Sequence, residues 1–236
     1  MWLLNTPIAH RGLHNDPVCP ENSLAAFTRA VESGYPIELD VRESADGAVV
    51  VFHDAGTERL TGHAGLVRDM QSSEITALRI LRTEERVPLL EDVLRVVDGQ
   101  APLLIEIKND TSRVGPLEER VRNILADYDG ELAVQSFNPA VIKYFQQEAP
   151  EIVRGQLSCN VDRTNSAGRP ELADLLDDNE FVVDFVAYAV NDLPTEATIR
   201  VRERGLPVLA WTVTTPQQRQ QAVQHADNYI FEGFLP

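Results

Sequence analysis

The chain has 236 residues, a length that fits one domain over residues 1–236. Its residues are 43% hydrophobic and 25% charged, which is an ordinary composition for a globular protein. Its net charge of −16 disfavours nucleic acid, or an anionic membrane surface, as a partner. No stretch approaches the roughly 18 apolar residues of a membrane span.

The first half of the chain reads as strands and helices separated by polar loops. The predicted elements are, in order, a strand at 7–10, a loop at 13–20, a helix capped by Asn22 or Ser23 and ended by Gly34, a β-hairpin within 35–54, a loop at 55–71, a helix capped by Ser72 or Ser73 that runs to about Leu81, a helix at 89–97 and a strand at 103–107.

The hairpin carries the densest pattern. Residues 37–42 alternate between apolar and charged side chains, which is the period of a strand and places Glu38 and Asp40 on one face. Asp46-Gly47 is typical of a tight turn, and the run VVVF at 49–52 favours a strand.

If the hairpin closes about residues 45 and 46, His53 returns opposite Glu38. Two carboxylates and an imidazole then converge, and a hard divalent cation would offset the repulsion between the carboxylates. The alternative interpretation is a surface strand with alternating polar residues.

The second half alternates regularly between helices and strands, which indicates a parallel sheet covered by helices. Helices are predicted at 116–128, 139–148, 170–178, 195–204 and 216–225, strands at 132–137, 153–157, 181–190, 207–213 and 229–231, and a polar loop at 160–168.

The nine predicted strands fit an α/β fold, a (β/α)8 TIM barrel. The ninth strand is then the return arm of the hairpin, residues 48–53, and a small insertion follows it. An open doubly wound sheet is the alternative, although the first strand-to-helix turn lacks a glycine-rich phosphate loop.

Active sites of such barrels lie at the carboxyl ends of the strands. In the first half those ends carry three carboxylates, two histidines and two cations, namely Glu38, Asp40, Glu106, His10, His53, Arg11 and Lys108. Later strand ends carry Ser136, Trp211, Thr212 and Glu232. Each has an ordinary explanation alone, such as an ion pair between Glu106 and Lys108, but that account must be repeated for all seven.

Together these residue types indicate phosphodiester cleavage. Three carboxylates with waters would form a site for Mg²⁺ or Ca²⁺. Arg11 and Lys108 would hold a phosphate group. Two histidines that titrate near neutral pH can act as general base and general acid.

The same residues carry a family resemblance. The motifs IAHRG, PENS, IELDV, VVFHD, ERLTG and IEIK follow one another between residues 8 and 108, and QSFNP and AWTV follow at 135–139 and 210–213. In this order and spacing they resemble the glycerophosphodiester phosphodiesterase family.

The resemblance implies a (β/α)8 barrel that uses a divalent metal to hydrolyse glycerophosphodiesters to glycerol 3-phosphate and an alcohol, a reaction of lipid metabolism. Residue by residue, it implies metal ligation by Glu38, Asp40 and Glu106. It further implies acid–base roles for His10 and His53, and phosphate contact by Arg11 and Lys108.

The sequence departs from the family pattern at several positions, two of which bear most on the substrate pocket. The insertion between His53 and Pro88 is shorter than is common, and Phe231-Glu232 stands where the family often has Thr-Asp. We therefore expect Trp211 to bind substrate and to form an apolar wall with Phe231. The alternative is that Phe231 is a core residue of the barrel.

Cysteine usage and the N-terminus predict a soluble cytoplasmic protein. Cys19 and Cys159 provide neither a disulfide framework nor a metal-binding spacing, and MWLLNTPIAH does not resemble a signal peptide. The predicted partner is a small glycerophosphodiester, with the oligomeric state left open. The alternatives are a phospholipase D-like enzyme acting on lysolipid or sphingolipid head groups, and a catalytically silent barrel that binds an anion or a polyol.

Overall fold

The computed structural model describes residues 1–109, 113–160, 172–177 and 181–236. Within these residues the chain forms two compact units, one of residues Ala9–Leu132 and one of Met1–Ile8 with Ala133–Pro236. The assignment of residues 1–236 to one domain stays a prediction.

Strands and helices of the first half alternate much as predicted. The strands are β1 (Ile8–Ala9), β2 (Ile37–Glu43), β3 (Val49–Val51) and β4 (Leu103–Ile107). The helices are α1 (Leu24–Glu32), α2 (Glu58–Thr61), α3 (Ser72–Ile75), α4 (Leu90–Val97) and α5 (Pro116–Leu125). Ser23 caps α1 as expected, because its side chain accepts a hydrogen bond from the Ala26 amide.

Strand β2 lies between β4, to which it is parallel, and β3, to which it is antiparallel. The hairpin is confirmed, but the register predicted for it is wrong. Ser44 pairs with Ala48 across a three-residue loop in which Gly47 takes a φ of +81°. The observed pairing of Arg42 with Val50 is one residue beyond the predicted register, so His53 does not stand opposite Glu38.

The insertion after the hairpin has more structure than its sequence indicates. Residues 55–71, predicted to be a loop, contain α2 and a 3-10 helix at Val67–Asp69. The helix predicted to follow a cap at Ser72 or Ser73 and to run to about Leu81 has Gln71 as its N-cap and ends at Ile75. Leu81 takes a φ of +49°, and its amide donates to the Leu60 carbonyl. The reason is a small apolar core that these segments build together, of Val50, Phe52, Leu60, Val67, Ile75, Ile80 and Val87.

The second half contributes five strands and four helices among the described residues. The strands are β5 (Leu132–Ser136), β6 (Val153–Ser158), β7 (Phe185–Ala189), β8 (Val208–Val213) and β9 (Asn228–Phe231). The helices are α6 (Pro139–Glu148), α7 (Leu172–Asp177), α8 (Glu196–Glu203) and α9 (Pro216–His225). Consecutive strands from β5 to β9 pair in parallel. Of the polar loop predicted at 160–168, all but Asn160 lies outside the described residues.

The strand order is that of the predicted barrel. The strands form one sheet in the order β1-β9-β8-β7-β6-β5-β4-β2-β3, with a further pairing of β1 with β2. Eight strands form the cycle of a (β/α)8 barrel, and β3 is the additional antiparallel arm. No helix in the described part of the chain is long and apolar enough to cross a membrane.

Candidate active site

Adjacent parallel strands bring three carboxylates together. Glu38 and Asp40 project from one face of β2, because they are two residues apart. Asp40 is in register with Glu106 on β4. One oxygen of each carboxylate lies within 4.8 Å of the others, and all three side chains are buried.

Two cations neutralise part of this cluster. Lys108 Nζ lies 3.0 Å from Asp40 Oδ1 and 2.5 Å from Glu106 Oε1. Arg11 Nε lies 3.4 Å from Asp40 Oδ2, and the Arg11 amide donates a hydrogen bond of 3.0 Å to Glu38 Oε2. The ion pair of Glu106 with Lys108 is therefore present, but within a larger group of charges.

Burial, mutual repulsion and the neighbouring cations shift the pKa values of the three carboxylic acids in different directions. Burial, with the nearby carboxylates of Asp40 and Glu106, raises the pKa of Glu38 well above its usual value. Burial also raises the pKa of Glu106, although Lys108 opposes the shift. Burial alone would raise the pKa of Asp40, but Lys108 and other positive groups outweigh it and hold that pKa below its usual range. The cluster thus carries more negative charge than Arg11 and Lys108 offset.

The three carboxylates fit a hard divalent cation. They supply only oxygen donors, at mutual distances that a single ion can bridge. Asp40 Oδ1 accepts no hydrogen bond from the described residues, since Lys108 Nζ at 3.0 Å lacks the alignment for one. A divalent ion would offset the remaining negative charge and leave the cluster, with all three carboxylates ionised, formally positive, which favours an anionic phosphate.

Of the two predicted histidines, His10 lies beside the carboxylate cluster, and His53 is near enough to Asp40 to interact with its charge. His10 Nε2 is 3.9 Å from Glu38 Oε2. The residue His53 follows β3, where its carbonyl accepts from Arg42 Nε at 2.8 Å and its Nδ1 lies 2.7 Å from Asp54 Oδ1. Burial lowers the pKa of the His53 imidazole, against the opposing charge of Asp40.

A tight turn before the helix α1 positions Arg11. Gly12 takes a φ of +80°, and a Cβ on it would lie 2.9 Å from Ala26, so this position requires glycine. The turn directs the Gly12 amide to the Glu38 carbonyl at 3.2 Å. In the HRG motif the glycine therefore allows the turn, and the arginine supplies a positive charge to the carboxylate cluster.

Several residues of the site were not predicted from the sequence. Asn22 Nδ2 donates to Asp40 Oδ2 at 2.9 Å, whereas Lys108 lies closest to the other oxygen, Oδ1. Glu21 accepts from both Arg11 and Arg59, and Asp54 accepts from Arg59. These residues lie in the motifs PENS, VVFHD and ERLTG, and this was the one sign in the sequence that they belong to the site.

The remaining predicted residues belong to the other compact unit. Trp211 stands edge-on to Phe137 with ring centroids 5.5 Å apart, and its contact with substrate stays a prediction. Phe231 is 1% exposed and its ring centroid lies 5.6 Å from that of Phe234, as expected of a core phenylalanine, and its part in an apolar wall with Trp211 stays a prediction.

Comparisons with known proteins give a consistent result. The sequence profile of the glycerophosphoryl diester phosphodiesterase family matches residues 10–232. YhdW of Bacillus subtilis is 32% identical over 87% of this chain and 85% of its own length. A glycerophosphodiester phosphodiesterase of Caldanaerobacter subterraneus subsp. tengcongensis is 29% identical over 92% of this chain and 89% of its own.

Solved structures share the fold. A phosphodiesterase of Oleispira antarctica, determined in complex with the product sn-glycerol-3-phosphate, superposes with a TM-score of 0.82 at 23% identity, covering 97% of this chain and 93% of its own. A glycerophosphodiester phosphodiesterase of Thermotoga maritima gives a TM-score of 0.77 at 24% identity, with coverages of 96% and 94%.

Proposed function

Because this chain belongs to the glycerophosphoryl diester phosphodiesterase family and is a phosphoric diester hydrolase, we propose that it hydrolyses glycerophosphodiesters to glycerol 3-phosphate and an alcohol with a divalent metal. The observation that carries the proposal is the buried cluster of Glu38, Asp40 and Glu106 with two cations and two histidines around it. The bound product of the Oleispira structure supports glycerol 3-phosphate as the product here.

In this proposal Glu38, Asp40 and Glu106 hold Mg²⁺ or Ca²⁺. The ion, when bound, would act as a Lewis acid toward the phosphate oxygens. Arg11 and Lys108 bind the same phosphate, Arg11 through its planar fork and Lys108 as a point charge. Their charges, fixed before substrate arrives, stabilise the negative charge that grows in the transition state.

The histidines move the protons of the hydrolysis. His10 acts as the base, or as the nucleophile. As the base it takes the proton from an attacking water, which gives glycerol 3-phosphate directly, or from an attacking substrate hydroxyl, which gives a cyclic phosphodiester that water opens in a second step. As the nucleophile it forms a phosphohistidine, which water cleaves in a second step. The bond between phosphorus and the leaving alcohol oxygen then breaks, and His53 gives that oxygen a proton. The lowered pKa of His53 makes its protonated form a stronger acid, but it also reduces the fraction of the enzyme that carries this proton at neutral pH.

The substrate is a small glycerophosphodiester, bound in part by Trp211. We also propose a cytoplasmic place in lipid metabolism. Neither Cys19 nor Cys159 forms a disulfide, which fits a reducing compartment.

The test is hydrolysis of glycerophosphocholine, glycerophosphoethanolamine, glycerophosphoinositol and glycerophosphoglycerol with Mg²⁺ or Ca²⁺, with glycerol 3-phosphate as the measured product. His10→Ala and His53→Ala should each lose roughly 10²- to 10⁴-fold in rate. His63→Ala is the matched control, because His63 is exposed in the insertion. Turnover of lysophospholipids alone would favour a phospholipase D-like enzyme, and no turnover at all would favour a silent binding barrel.

A further inference from the structure

An unbroken series of charged hydrogen bonds joins the two ends of the candidate active site. It runs through five residues, Arg11, Glu21, Arg59, Asp54 and His53, which we call the ion-pair chain. Its centre is Arg59, which lies on the short helix α2 of the insertion and has no contact with the metal-binding carboxylates among those described.

One half of the ion-pair chain reaches His53. Arg59 holds both oxygens of Asp54, with Nε 2.5 Å from Oδ2 and Nη2 3.1 Å from Oδ1. Asp54 Oδ1 in turn lies 2.7 Å from His53 Nδ1. A fork of this kind fixes the plane of the carboxylate as well as its position.

The other half reaches the phosphate-binding arginine. Arg59 Nη1 and Nη2 donate to Glu21 Oε2 and Oε1 at 2.9 and 2.8 Å, and Arg11 Nη1 donates to Glu21 Oε1 at 2.7 Å. Glu21 is only 4% exposed. Its carboxylate therefore aligns two guanidinium groups, and Arg11 is held between Glu21 and Asp40.

The protonation state of Asp54 determines which of the two contacting atoms, Asp54 Oδ1 or His53 Nδ1, carries the hydrogen. Hydrogen bonds from Arg59 and His53 outweigh the effect of burial and lower the pKa of Asp54 to about 2. An ionised carboxylate can only accept hydrogen bonds, so the hydrogen in the contact belongs to His53 Nδ1. The reactive nitrogen is then Nε2, which can take or give a proton.

We propose that Asp54 and Arg59 are positioning residues: Asp54 fixes the tautomer and ring plane of His53, and Arg59 holds Asp54 and, through Glu21, the guanidinium of Arg11. This inference rests on the proposed function for its kinetic consequences, but its structural claim about the His53 tautomer does not. A solvent-exposed ion pair, with no effect beyond stability, is the alternative, since the Arg59 side chain is 46% exposed.

Asp54→Asn tests the first link. Asparagine keeps the shape but presents either an oxygen or an N–H group to Nδ1, so it no longer selects one tautomer. We expect kcat to fall roughly 10- to 100-fold with KM within about twofold of the wild-type value. On a His53→Ala background the same change should cause no further loss, because its effect passes through His53. Losses that multiply in the double variant would overturn the proposal.

Arg59→Gln tests whether Arg59 links Asp54 to Glu21. It releases both Asp54 and Glu21, so kcat should fall and KM should rise, whereas Glu21→Gln should mainly raise KM. The matched control is Arg68→Gln in the same insertion, because Arg68 is 71% exposed and its only described ion pair is with exposed Asp69 at 3.8 Å. An Arg59→Gln enzyme with the kinetics of the control would contradict the proposal.

A measurement without turnover separates this inference from the proposed function. In ¹⁵N-histidine-labelled protein above the His53 pKa, the resonance lost in His53→Ala should report the Nδ1–H tautomer, and Asp54→Asn should shift it towards the Nε2–H form. A wild-type His53 with its hydrogen on Nε2, or no shift in Asp54→Asn, would overturn the role of Asp54. If the protein hydrolyses no glycerophosphodiester, the proposed function fails while this result still stands.

Discussion

Replacing Lys108 with methionine should show how much its positive charge contributes to the stability of the carboxylate cluster. Lys108 Nζ lies within 3.0 Å of two buried carboxylates, and its side chain is 11% exposed. Removal of one partner of a buried ion pair costs roughly 3–5 kcal/mol, because the remaining charge is left uncompensated. At about 2–4 °C per kcal/mol for a chain of this size, the melting temperature of the metal-free protein should fall by about 6–20 °C.

Saturating Mg²⁺ or Ca²⁺ should reduce this loss in Lys108→Met, because an ion held by Asp40 and Glu106 replaces the missing positive charge. The fold is expected to persist, so the metal-loaded variant can be assayed. Loss of a charge-assisted contact to phosphate, about 1.5–3 kcal/mol, should then raise KM by roughly 10- to 150-fold.

The assay is a pair of thermal melts, in chelator and in saturating metal, together with steady-state kinetics on glycerophosphocholine. Lys143→Met on α6 is the matched control, because Lys143 is the other lysine of the chain. A large fall in melting temperature that metal does not reduce, with KM unchanged, would show that Lys108 only stabilises Glu106 and would refute the reasoning.

Three further predictions concern the histidines, Trp211 and Glu21. A p-nitrophenyl phosphodiester, whose leaving group needs no proton, should partly rescue His53→Ala but not His10→Ala; rescue of His10→Ala alone would reverse the two roles. Trp211→Ala should raise KM for glycerophosphocholine with kcat nearly unchanged, and identical constants would remove Trp211 from the substrate site. Burial alone would raise the pKa of Glu21, but the hydrogen bonds and charges of Arg59 and Arg11 outweigh the effect of burial, so this pKa lies below its usual value. Its contribution to stability is therefore complete above an unfolded pKa of about 4.3 and is lost as pH falls through the lower folded value. Melting curves of Glu21→Gln should depend less on pH below about pH 4.5, and an unchanged acid slope would contradict this.

The three carboxylates at the ends of β2 and β4 could be predicted because their geometry follows from strand periodicity, whereas the register that placed His53 opposite Glu38 was wrong. Residues two apart on β2 share a face, and parallel neighbours end at the same edge of a sheet. Glu38, Asp40 and Glu106 converge for this reason alone. The barrel followed similarly, from the regular alternation of strands and helices.

Contacts between distant segments could not be predicted. The hairpin register depended on a three-residue loop, which the Asp46-Gly47 dipeptide does not specify. The helix after Ser72 stops early because Ile75 and Ile80 pack into an apolar core with Leu60, which no local pattern reveals. The ion-pair chain was missed because Arg59 and Glu21 are 38 residues apart.

Metal-dependent hydrolysis at the three-carboxylate cluster is tested most directly by adding metal back to stripped protein while glycerol 3-phosphate release from glycerophosphocholine is measured. We expect no release in chelator and a saturable rise with Mg²⁺ or Ca²⁺. Glu38→Gln should shift this rise to higher metal concentration without unfolding the protein. Full activity of stripped wild-type protein, shown by elemental analysis to hold no divalent ion, would contradict the account.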